Sequence, residues 1–169
     1  MIKKAEKEFI FGNDEITAAC HASTVLPLDD GTVLAAWFGG KREGDDSVGI
    51  FVSVRNVQGQ WSRPALISED VPIPHWNPVL YERADGRIML FYKYGHEIPE
   101  WITKYVFLSR NGEVISSPKE LVPGDTSGGR GRSGTGLLLG QRCETLSKSR
   151  CLPDAAYVGK VLSDDERLF

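Results

Sequence analysis

The stretch from Gly39 to Ser47 reads Gly-Gly-Lys-Arg-Glu-Gly-Asp-Asp-Ser and sets two cations and three carboxylates in the six positions from Lys41 to Asp46. Such a loop can do two kinds of chemistry. A guanidinium such as that of Arg42 holds a carboxylate through two parallel hydrogen bonds, which suits an acidic ligand. A carboxyl group among Glu43, Asp45 and Asp46, once placed in a dry site, can have its pKa raised and serve as a general acid. The plain alternative is a solvated loop whose arginine pairs with its own acids. Elsewhere, His21 follows Cys20 at the head of an apolar run and is a candidate ligand contact or proton shuttle. Trp76-Asn77 offers a stacking ring beside an amide that reads hydroxyls, a common way of holding a sugar; otherwise Trp76 is simply packed. Tyr92 and Lys93 end another apolar run and are candidate substrate contacts: Tyr92, like His21, could act as the base of a lyase, and the lysine suits an anion or is merely exposed.

These residues need a frame, and a repeat supplies it. Gly31 and Gly86 lie 55 residues apart, as do Arg55 and Arg110, and the text around them copies itself. His21-Ala22-Ser23 through Asp30-Gly31 to Trp37-Phe38-Gly39 matches Trp76-Asn77-Pro78 through Asp85-Gly86 to Tyr92-Lys93-Tyr94. A period of this size marks one supersecondary unit used again beside itself. Each unit reads as four short strands: residues 23–28, 32–38, 48–55 and 60–67, then 78–82, 87–92, 103–109 and 114–121. Period-2 alternation marks the third strand, with Val48, Ile50, Val52 and Val54 on one side. The second strand, Thr32–Phe38, is apolar almost throughout and should be buried on both faces. Helical signals are nearly absent. The expected fold is therefore all-β, a β-propeller of about two four-stranded antiparallel blades, 8–68 and 69–124.

In such a fold the first strand of each blade lines the central channel. Its start shares one end with the loop between strands two and three. His21, the loop 39–47, Trp76-Asn77 and the loop 93–102 should then stand on one rim. The turns at Asp29–Gly31 and Ala84–Gly86 should stand at the other end.

Bulk properties narrow the function classes. With 20 Lys and Arg against 23 Asp and Glu, the net charge of −3 gives no reason to expect nucleic acid or an anionic membrane as partner. The chain holds no apolar run long enough to span a bilayer. Met1–Glu8 carries lysines with no apolar run behind them, so it does not read as a signal peptide, and the chain reads as cytoplasmic. Cys20, Cys143 and Cys151 lack metal-ligand spacing and read as reduced thiols; no metal or cofactor is expected.

Four phrases carry a family resemblance: Cys20-His21-Ala22-Ser23-Thr24, Ala36-Trp37-Phe38-Gly39-Gly40-Lys41-Arg42-Glu43-Gly44, Trp76-Asn77-Pro78-Val79-Leu80 and Phe91-Tyr92-Lys93. They resemble the sialidase-like superfamily, in its bacterial BNR-repeat branch of exo-α-sialidases, from about residue 8 to 130. Ser53 to Trp61 is similar to the Asp-box of that superfamily, without its aspartate and with altered spacing. The resemblance implies a six-bladed propeller that cleaves a terminal acidic sugar with retention. It implies a Tyr–Glu nucleophile pair, an aspartate acid/base and three arginines on the substrate carboxylate. Arg42 then matches one of those arginines, and Asp45 or Asp46 falls near the acid/base. His21 stands where an arginine is usual, so a uronic acid is also a fitting substrate, and lyases share this fold. The nucleophile belongs to later blades. A third unit should open near residue 131 with a turn glycine near 141, where Gln141 stands instead. Residues 131–169 therefore read as an irregular tail from a truncation or frame shift. Two blades would leave open edges, and self-association through them is expected. A non-catalytic, carbohydrate-binding propeller is the remaining alternative.

Overall fold

The computed structural model describes residues 5–12, 15–126 and 157–161. Ten strands run through them: β1 Ala5–Phe9, β2 Ala19–Pro27, β3 Val33–Gly40, β4 Gly49–Arg55, β5 Ala65–Leu66, β6 His75–Glu82, β7 Ile88–Tyr94, β8 Ile102–Leu108, β9 Lys119–Glu120 and β10 Tyr157–Val161. A short 3₁₀ turn, Ile98–Glu100, precedes β8. Two four-stranded antiparallel sheets follow chain order, β2-β3-β4-β5 and β6-β7-β8-β9. These are the two blades read from the repeat.

The inner strands begin earlier than expected, at Ala19 and His75. Each passes through a bulge, between His21 and Thr24 in one and between Trp76 and Val79 in the other. At the bulges Ala22 has φ +50° and Asn77 φ +46°. The outer strands are shorter than expected, just two residues each. Pro64 and Pro118 immediately precede them, and proline has no N–H to give a ladder. Isolated bridges, Arg55 to Trp61 and Leu108 to Val114, are what remains of their beginnings.

The main core lies between the blades. Leu34, Ala36, Phe38 and Ile50 of the first meet Leu80, Ile88, Leu90 and Tyr92 of the second. Each of the leucines, isoleucines and Phe38 among them contributes about 1.5–3 kcal/mol on burial. On its other face the first blade packs Trp37 and Ala35 under Ile10 and Phe11. At the end away from the charged loop, Arg110 ties the blades. It donates to Asp29 at 2.7 Å, Asp30 at 3.3 Å and Glu82 at 2.8 Å.

β1 pairs antiparallel with β10, from Ala5 opposite Val161 to Phe9 opposite Tyr157. The sequence pattern had marked neither strand. The expected third-unit start near 131, Gln141, Cys143 and Cys151 lie outside the described residues. Among the described residues no helix is long and apolar enough to cross a membrane.

Candidate functional site

Antiparallel pairing puts the heads of the inner strands and the β3–β4 and β7–β8 loops at one end. Ala19 opposes Gly40, Gly39 opposes Gly49, and His75 opposes Tyr94, which opposes Ile102. The rim inferred from the repeat is therefore formed by these elements.

The charged loop is held by its own short bonds. The Lys41 amide donates to Ser47 Oγ at 3.1 Å, and the Val48 amide to the Asp45 carbonyl at 2.9 Å. Asp45 accepts from the Ser47 amide at 2.9 Å. The Ser47 side chain and then its amide hold the Asp45 carboxyl below the usual range, with help from Lys41 and Arg42. Asp45 is thus committed to shaping the loop. Gly44 takes φ +81°, a conformation open to glycine, and a Cβ there would stand 3.9 Å from the Trp76 ring. The loop tip accordingly lies over Trp76.

Beneath the tip, aromatic rings form a ladder across both blades. His21 packs on Phe38 at 5.5 Å between centroids, Phe38 meets Trp76 edge-on at 5.5 Å, and Trp76 stacks on Trp101 at 5.3 Å. Trp76 is buried, and its indole Nε1 donates to the Gly95 carbonyl at 2.8 Å. Two carboxylate–imidazole approaches flank the ladder. His21 Nε2 lies 3.9 Å from Glu43 Oε2, and His96 Nδ1 lies 3.6 Å from Asp46 Oδ1. The second spans the blades and leaves Asp46 62% exposed. Arg42 is 83% exposed, its Nε 3.8 Å from Asp45, so its fork faces solvent. Asn77 is exposed at the bulge.

Two sequence expectations need correction or refinement. Tyr92 does not stand on the rim: its side chain is buried between the blades, and its hydroxyl donates to Glu69 Oε2 at 2.9 Å. Burial and the adjacent Glu69 carboxylate push the phenol far up, so it is no base. Lys93, one residue on, points to the opposite face of β7. There it is half-buried, donates to Thr103 Oγ1 at 2.7 Å, and burial lowers its pKa. His96 and Trp101 lie inside the rim loop 93–102 expected from the repeat without being singled out there, and Glu69 and His75 carry no local signal of a role. A histidine beside Gly95 in a rim loop was a usable signal for His96. For the buried pair, the two prolines Pro72 and Pro74 mark only the linker itself.

Residues 31–131, more than half of the chain, match the family described as BNR repeat-like domain. The chain belongs to that family. This agrees with the sialidase-like, BNR-repeat resemblance of the sequence and with the blade topology. Among solved structures, the BNR-repeat chain is similar to an α-L-arabinanase from Penicillium chrysogenum complexed with arabinobiose. The identity is 16%, the TM-score 0.49, and the match covers 65% of this chain and 33% of that one. The chain thus spans about a third of that structure's length. No curated protein matches it. Among the described residues of this BNR-repeat chain, no group of three or more His, Cys, Asp and Glu side chains is placed to hold a metal ion.

Proposed function

We propose that this chain supplies part of the substrate rim of a sialidase-type glycoside hydrolase acting on a terminal acidic sugar. The observation that carries the reading is the approach of His96 to Asp46, at 3.6 Å, between the two loops that adjoin Trp76 through Gly44 and Gly95. Asp46 is the acid that protonates the leaving oxygen, since Asp45 is engaged within its loop. Arg42, with its fork in solvent, takes the sugar carboxylate. His21, Asn77 and the edge of the aromatic ladder contact the ring and its hydroxyls. The nucleophile lies on further blades, so the activity belongs to a propeller that includes them.

In a full-length homologue, the equivalent of Asp46→Asn should lower turnover of a sialoside by about 10²–10⁴-fold, the usual weight of a general acid. Unchanged turnover would refute the assignment. A product absorbing in the ultraviolet as an unsaturated uronate would indicate a lyase instead. Binding of acidic glycans with no product would indicate a non-catalytic propeller.

A further inference from the structure

Below the rim lies a polar cluster that the proposed chemistry does not use. Glu69, in the linker between the blades, accepts from Tyr92 at 2.9 Å and from Lys104 Nζ at 2.6 Å. Its Oε2 also lies 3.4 Å from Nε2 of His75, whose side chain is 1% exposed. The Lys104 ammonium sits 3.8 Å from the Tyr94 ring centroid. The His75 ring packs against Tyr92 at 5.5 Å and Tyr94 at 5.2 Å. A linker carboxylate is therefore the meeting point of strands β6, β7 and β8.

Each of its partners adjoins a rim element. The His75 amide donates to the Val48 carbonyl at 3.0 Å, and its Nδ1 lies 3.3 Å from the same oxygen. Val48 is where the charged loop ends. His75 is followed directly by Trp76. Tyr94 is followed by Gly95, whose amide donates to the Pro74 carbonyl at 3.2 Å and whose carbonyl holds the Trp76 indole. Removing the carboxylate would leave a half-buried ammonium, its side chain 17% exposed, and the buried Tyr92 hydroxyl without their acceptor, which is costly where water is mostly excluded.

We propose that Glu69 is the positioning residue of the rim, a latch that sets the charged loop, Trp76 and the His96 loop from beneath. It touches no substrate and acts through His75, Tyr92 and Lys104. The consequence for sugar binding rests on the proposed function; the latch itself does not.

The test uses the full 169-residue chain. Hydrogen exchange of the four indole N–H groups is followed by NMR in wild type and Glu69→Gln. The latch predicts exchange at Trp76 faster by roughly tenfold to a hundredfold, with Trp37 and Trp61 unchanged. Equal acceleration at all four, or at none, overturns it. Should Glu69→Gln fail to fold, Tyr92→Phe removes one donor while keeping the ring. The same local pattern is then expected, and a uniform or absent response again overturns the proposal. A second arm titrates N-acetylneuraminic acid. Weaker binding by Glu69→Gln supports positioning, and unaltered affinity despite faster Trp76 exchange refutes it. No binding by wild type would refute the sugar-site reading, while the exchange pattern would still decide the latch.

Discussion

At the same place in the two blades, where the second and third strands pair, Trp37 opposes Phe51 and Tyr92 opposes Lys104. The first pair is a ring stack, at 6.2 Å between centroids, covered by Ile10 and Phe11. The second is a phenol and an ammonium closed by the Glu69 carboxylate. Strand pairing, bulge and turn are alike, yet at this position the first pair rests on shape and the second on polar partners. The inner strands show the same exchange. Both heads enter the left-handed region, with alanine in one blade and asparagine in the other. A repeat thus keeps its backbone geometry while the side chains on it take different work.

That contrast gives graded ways to break it. Trp37→Ala should open a cavity and cost about 3–5 kcal/mol in denaturant unfolding, the range for large aromatic truncations in cores. Tyr92→Phe keeps the ring and removes one donor from Glu69, so about 1–3 kcal/mol is expected. A loss as large as that of Trp37→Ala would mean that the second blade also rests on shape.

Acid should act on the second blade. Burial lowers the pKa of His75 below its ordinary 6.5, despite the opposing pull of Val48 and Glu69. The unfolded chain then binds more protons than the folded one as pH falls below 6.5, and stability declines from there. Burial alone would raise the Glu69 carboxyl, but hydrogen bonds from Lys104 and Tyr92 outweigh it and hold the pKa below 4.5. A further loss follows as pH falls through that lowered value. The groups facing His75 are Glu69, Lys104, Tyr92 and Tyr94, whereas the Trp37–Phe51 pair has nothing to titrate. Amide protection, taken relative to the intrinsic exchange rate at each pH, should therefore fall first in β6–β8 on going from pH 7 to 5; simultaneous opening of β2–β4 would contradict this. The smallest effect is expected at Ala22→Gly. Relief of a left-handed alanine should offset the added chain entropy and raise stability by about 0.5–1 kcal/mol, seen as a higher unfolding midpoint. A fall would mean that the alanine methyl packs usefully.

Much of this fold was legible because its signals are local. Turn glycines 55 residues apart, from Gly31 to Gly86, and the alternation through Val48–Val54 located all eight blade strands, with the outer two expected longer than they are. Pro64 and Pro118 explain why the outer two are short. The rim followed from antiparallel geometry alone. What escaped was phase and long-range pairing. β7 is apolar nearly throughout, so its sequence does not say which way Tyr92 points. The bulge after His21 also shifts the inner strand's alternation. Glu69 meets Lys104 and Tyr92 through folding of the linker, at sequence separations of 35 and 23 residues that no local pattern encodes. β1 reads as a charged terminus, because Glu6-Lys7-Glu8 carries no apolar alternation.

Loop 41–47, Trp76 and His96 are proposed here as one site for an acidic sugar. The most direct test of this proposal is an NMR titration of the full chain with N-acetylneuraminic acid against a neutral hexose. Saturable shifts are predicted at the amides of Arg42–Asp46, at Asn77 and His96, and at the Trp76 indole, with the acid alone. Shifts that fail to saturate, that the neutral sugar reproduces, or that fall instead around Asp29–Gly31 at the opposite end would contradict it.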